Sequence, residues 1–122
     1  MSHMSLASII TQSGMNKEYF KEVLDDTIDE IMHTLGIKAV EYVRNDNVMH
    51  NFDTGSRMTG EIREKVIYSF ALKHYISISD IRNDIESGNL PSKELINEKF
   101  GDAINYLILE KASILHKIDN HE

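Results

Sequence analysis

The sequence predicts an all-α fold, an antiparallel helix bundle of the four-helix type completed by oligomerisation. Apolar residues recur at three- and four-residue steps through three long stretches. The single proline, Pro91, falls between two of these stretches, and no period-two alternation of strand length interrupts them. With 122 residues the chain suits one domain with one core. Three long helices and one short one form a four-helix bundle, or an equivalent that a second subunit completes.

The first helix is expected over about 16–35, where Tyr19, Phe20, Val23, Leu24, Thr27, Ile28, Ile31 and Leu35 share one side and Gly36 supplies a stop. A short helical stretch from Ile37 to about Arg44 follows. Asn45, Asp46, Asn47 and the segment through Phe52, Asp53, Thr54, Gly55 and Ser56 read as an ordered, irregular loop, because such residues favour turns and local side-chain bonds. Helical periodicity resumes near Glu61 with Val66, Ile67, Phe70, His74, Ile78, Ile81 and Ile85 in one arc. Ser87, Gly88, Asn89, Leu90 and Pro91 break it. The last helix, about Ser92 to Lys117, carries a core stripe of Ile96, Phe100, Ala103, Ile104, Leu107, Ile108, Ile114, Leu115 and Ile118. The domain is expected over residues 15–118. Residues 1–14 read as a tag remnant and flexible lead-in, with Met1-Ser2-His3-Met4 left out of the fold, and 119–122 as a flexible tail.

Composition narrows the function classes. The chain has no cysteine, so disulfides, a thiolate nucleophile and Cys-ligated zinc are excluded. No apolar run approaches the ~18 to 20 residues of a membrane span and no signal-peptide pattern opens the chain, which makes the cytoplasm the expected location. A net charge of −7 with scattered basic residues argues against binding to a nucleic-acid duplex. The acidic surplus suits either a solvated surface or a site for a divalent cation.

Two polar edges stand out. On the last helix Glu94, Glu98, Asp102 and Asn105 share a face, flanked by Leu95, Tyr106, Leu109 and Ala112. Such a row is commonly a solvated face. Its apolar company points instead to carboxylates embedded in a bundle, where hard oxygen ligands suit Mg²⁺ or Mn²⁺. On the preceding helix Lys73, Ser77, Asp80 and Asp84 line the flank of the apolar stripe, placing Lys73 for a phosphate and Asp80 for the same cation, or else marking a core boundary. His74 lies within the apolar arc and reads as a satisfied core histidine. Lys38, Ala39, Val40, Glu41 and Tyr42, followed by Asp46, His50, Asn51 and Phe52, form either a binding loop or a tight inter-helical connection.

Read together, Lys38-Ala39-Val40-Glu41-Tyr42 with Asp46 and His50-Asn51-Phe52, Lys73-His74 with Ser77 and Asp80, and Glu98-Lys99-Phe100-Gly101-Asp102 with Asn105-Tyr106 resemble small phage and prophage proteins allied to the MazG-like, all-α nucleoside triphosphate pyrophosphohydrolases. The resemblance spans about residues 38–116. It implies acidic residues on two helices binding Mg²⁺, which bridges the nucleotide phosphates while an activated water releases pyrophosphate. The Phe100-Gly101-Asp102 end is the nearest match and gives Asp102 the metal role. Two departures are plain: Lys99 stands where these enzymes place a Glu, with Glu98 one position earlier, and no Glu-x-x-Glu lies in the middle of the preceding helix, although Glu61 and Glu64 have that spacing at its start.

The expectation is therefore a Mg²⁺- or Mn²⁺-dependent pyrophosphohydrolase acting on a nucleoside triphosphate, with a modified one included. Asp80, Glu98 and Asp102 would hold metal, and Glu41 would act as a further ligand or water-orienting base, with Glu98 beside it in the catalytic set. Lys38 and Lys73 would meet phosphate, Tyr42 or Phe52 would stack on the base, and His50, Asn51 and Asn105 would complete the substrate contacts. The altered acidic motif favours an alternative, a phage protein that sequesters a nucleotide without hydrolysing it. A third reading is a helical oligomeric interaction protein. In each, a homodimer or homotetramer is expected.

Overall fold

The computed structural model describes residues 2–3, 14–42 and 46–121, with side chains described over 14–36 and 46–121. Four helices account for nearly all of it: α1 (Lys17–Tyr42), α2 (His50–Thr59), α3 (Arg63–Glu86) and α4 (Lys93–Asp119). Two short strands, β1 (Ser2–His3) and β2 (Asn89–Leu90), pair antiparallel, with Ser2 opposite Leu90 and His3 opposite Asn89. The all-α expectation holds. The residues set aside at the N-terminus nevertheless contribute this small pairing, against the α3–α4 turn.

The central unit is the antiparallel pair α3 and α4, fixed in register by side-chain contacts from Arg63 and Glu64 to Ser113 and Lys117 at one end and from His74 to Asp102 further along. Gly88, at φ 91°, ends the α3 turn, and its N–H donates to Ile85 O at 2.9 Å. Ser92 caps α4, its Oγ accepting from Leu95 N–H at 3.1 Å. Both boundaries follow the sequence reading. Phe52 of α2 is buried with Val66 and Ile67 of α3, and Met49, Tyr106 and Leu109 close over them. Phe52 meets Phe70 edge-on, with ring centroids 5.3 Å apart.

Three expectations are corrected. The segment expected to be an irregular loop through Ser56 is helical from His50 onward. Asn47 organises the entry: its Oδ1 accepts from Met49 N–H at 2.9 Å and its Nδ2 donates to Asp53 Oδ2 at 3.0 Å. Burial of Phe52 then overrides the weak helix propensity of Asn51, Asp53, Thr54 and Gly55. Gly55 is required for close approach, because a Cβ there would lie 2.8 Å from Val66 Cγ1.

Gly36 does not end the first helix, which runs through it to Tyr42. A glycine in a helix interior weakens it by roughly 1 kcal/mol relative to Ala without being a stop.

The third correction concerns which side of α4 faces inward. The stripe taken as core is largely exposed at Phe100, Leu107, Ile108, Ile114, Leu115 and Ile118, while the side bearing Asp102, Asn105, Tyr106, Leu109 and Ser113 is turned toward α3. A helix apolar on two sides offers no sequence signal for which side meets its neighbour. In α1, none of residues 17–36 is buried, and only Thr27, Ile31, Thr34 and Leu35 are half-buried.

Candidate functional site

The inward side of α4 gathers the polar residues that sequence reasoning singled out there. Asp102 is half-buried, and its Oδ2 lies 3.5 Å from His74 Nδ1 on α3. The His74 ring stacks on Tyr106, one α4 turn beyond Asp102, with centroids 5.3 Å apart. His74 thus behaves as the core-facing histidine its place in the apolar arc suggested. Its partner is a carboxylate that had been assigned to metal.

Between Asp102 and Tyr106 on the chain, Asn105 is 3% exposed, and neither its Nδ2 nor its Oδ1 has a hydrogen-bond partner among the described residues. Buried polar atoms are nearly always paired, and leaving one unpaired costs about 1–3 kcal/mol. A side-chain amide presents both donors and an acceptor. Asn105 can therefore pair with a group that both donates and accepts.

Toward the end of the α3–α4 pair where α3 begins lies a second polar group, and there every charge is matched. Arg63 donates from Nε to Ser113 Oγ at 2.7 Å, from Nη2 to Ser113 O at 3.3 Å and from Nη1 to Asp53 Oδ1 at 3.1 Å. The fully buried Ser113 donates from Oγ to Glu64 Oε2, whose other oxygen accepts from Lys117 Nζ at 2.6 Å. Burial alone would push the Glu64 carboxyl up. The hydrogen bonds from Lys117 and Ser113, with the charge of Lys117, outweigh it and bring the pKa down to about 2. Asp53 is lowered too: burial opposes the shift, but the hydrogen bonds from Asn47 and Arg63 and the charges of Arg63 and Arg57 prevail. This network fastens α2, α3 and α4 together. It went unnoticed in the sequence, although Ser113, four residues after Leu109 on the same side of α4, was a usable signal of a buried hydroxyl in need of partners.

The other expected site residues are dispersed. Phe52, expected to stack on a base, is a core side chain, because its ring fills the space between α2 and α3. His50 opens α2 half-buried and Asn51 is exposed beside it. Lys73 and Asp80 are both exposed on α3. Glu98 is exposed, with Lys99 Nζ 3.8 Å from its Oε1. Lys38, Glu41 and Tyr42 belong to the helical backbone of α1, and their side chains lie outside the described residues.

Asp80, Glu98 and Asp102 have the oxygen chemistry that Mg²⁺ prefers. Among the described residues, however, no three His, Asp or Glu side chains are gathered so as to hold a metal ion. As arranged, the expected triad does not form a cation site. No helix among the described residues is long and apolar enough to cross a membrane.

No family model, curated protein or solved structure matches this chain. Its chemistry rests on the side chains themselves.

Proposed function

We propose that the chain is a nucleotide-binding helical protein of the cytoplasm, related to the MazG-like pyrophosphohydrolases and working as a homodimer or homotetramer. Its ligand is held on the inward side of α4 by Asn105 and Asp102, with His74 and Tyr106 beside them. The observation that carries this reading is the Asn105 amide, buried and without a partner among the described residues. An amide kept at such cost is explained if a ligand supplies the missing hydrogen bonds. Lys38 and Lys73 are the residues to meet phosphate, and Tyr42 to stack on the base.

Binding without hydrolysis is favoured over catalysis by two placements: Asp102 is directed at His74, and Glu98 lies beside Lys99. The second reading is a Mg²⁺- or Mn²⁺-dependent pyrophosphohydrolase of nucleoside triphosphates. It is supported by Glu98 and Asp102 standing one turn apart on α4, with Glu41 of α1 in reserve as ligand or base.

One experiment separates the two readings. Thermal unfolding is followed with a panel of nucleotides, in chelator and in Mg²⁺, and products are resolved by chromatography. Stabilisation in chelator without turnover supports binding, whereas release of pyrophosphate only with metal supports the hydrolase. Neither stabilisation nor product across the panel removes both.

A further inference from the structure

We infer that the exposed stripe of α4 is a two-fold seam, at which a second copy of this chain packs antiparallel with its axis beside Lys111. This rests on the assembly of copies proposed above, and it names the face that makes the assembly.

Three observations carry the inference. The first is area. The chain presents 9211 Å² of accessible surface at a mass of 14.0 kDa. A compact monomer of that mass presents roughly 6,700 Å², so the excess is roughly 2,500 Å². Residues outside the described ones contribute to that total, yet a standard interface takes only about 800 Å² from each partner, well under the excess.

The second is the chemistry of that surface. Large apolar side chains along α1 and the outer side of α4, from Phe20 and Leu24 to Leu107 and Ile118, remain between 39% and 69% exposed. Continuous apolar faces on a soluble chain mark contact surfaces. Moreover, α1 has 26 residues and none buried among 17–36. Helices owe most of their stability to a packed apolar face, and between 17 and 36 this one is covered only in part, at Thr27, Ile31, Thr34 and Leu35.

The third is symmetry. The outward positions 104, 107, 108, 111, 114, 115 and 118 have the same spacing read in either direction from 111. A two-fold interface needs this, because each residue must meet its counterpart across the axis. Under that operation Leu107 meets the partner's Leu115, and Ile108 meets the partner's Ile114. The step of three and four residues also suits helices packed at a shallow angle. Lys111 falls on the axis, and Glu110 lines the same shallow groove with Leu107, Ile114 and Leu115, offering each lysine a carboxylate from the other copy. Patch, charge and spacing all suit a copy of the same helix in reverse.

The chain has no cysteine, so a single one introduced by substitution reports proximity without interference. Lys111→Cys is oxidised at low micromolar concentration beside Met58→Cys, a control at an exposed α2 position. The expected result is a covalent species of about 28 kDa forming at least ten times faster from Lys111→Cys. Equal rates overturn the seam. In parallel, sedimentation equilibrium of the unmodified chain without nucleotide should give about 28 kDa or an even multiple, and a 14.0 kDa monomer up to about 100 µM overturns the assembly itself. The paired substitution Leu107→Glu with Leu115→Glu should weaken association at least 100-fold. If that variant fails to fold, the denaturation midpoint of the unmodified chain decides, rising with protein concentration for a dimer and staying fixed for a monomer. None of these measurements involves a ligand, so their failure leaves the nucleotide reading standing.

Discussion

The two polar regions between α3 and α4 are built from similar residues and treated oppositely. At the Arg63 end, a guanidinium, two carboxylates, a buried hydroxyl and an ammonium satisfy one another across three helices. Around Asn105, midway along the pair, a buried amide has neither of its polar atoms paired among the described residues. Polar groups that close on each other hold a fold together, and a buried polar group left open calls for a partner from outside the chain. The first region is thus a clasp, and the second is the place we propose for a ligand.

Opening the clasp should produce the largest effect. Arg63→Ala removes the donor set that holds Asp53 and Ser113 and should cost about 2–3 kcal/mol, below the roughly 3–5 kcal/mol for breaking a fully buried pair because its partners retain some solvent contact. Chemical denaturation with an unchanged slope and a lower midpoint is the expected readout. A loss under 0.5 kcal/mol would deny that the network fastens α2 to the α3–α4 pair.

Acid should act on the same clasp. The Glu64 pKa is about 2 in the folded chain, below its ordinary 4.5, so the stabilisation it gives is fully present above pH 4.5 and is lost as pH falls toward 2. Asp53, also lowered, adds a dependence of the same sign. The unfolding free energy should therefore decline from pH 4.5 downward, and Glu64→Gln should flatten that decline while lowering stability at neutral pH. An unaltered slope in Glu64→Gln would mean that other carboxylates govern the acid limb.

The open region should respond in the reverse sense. Asn105→Leu replaces the unpaired amide by an apolar group of similar volume and should raise stability by about 1 kcal/mol. A loss of more than about 1 kcal/mol would show that the amide is already serving the fold. The smallest effect lies outside both regions. Gly36→Ala, at an exposed helical position with nothing within 4 Å of the new Cβ, should add about 0.5–1 kcal/mol.

Helix identity was legible in the sequence because period and punctuation agreed. Ser92 capped α4, Gly88 ended α3, and Val66, Ile67, Ile78 and Ile81 were core as their spacing required. Where the sequence misled, tertiary contact outweighed a local rule. Phe52 drew a run rich in turn-forming residues into α2 by burying its ring, and continuous helix carried α1 through Gly36. The orientation of α4 was not legible at all, since both of its sides are apolar and only the neighbour decides which is inner.

Asp102 and Asn105 were legible as polar residues on the inner side of α4, because polar residues at helical spacing among apolar ones are conspicuous. The Ser113 clasp was missed, because its members lie about 50 residues apart and only the α3–α4 register brings them together. Asp80, Glu98 and Asp102 shared periodicity but not place: two helices can each carry an acidic edge without turning those edges toward each other.

Whether Asn105 is held open for a ligand is decided by titration calorimetry of the unmodified chain and of Asn105→Leu. A nucleotide found by the thermal panel is added to both in chelator at neutral pH. Binding to the unmodified chain is expected, with at least a tenfold weaker affinity in Asn105→Leu, although that variant should be the more stable protein. Equal affinity in the two would contradict it.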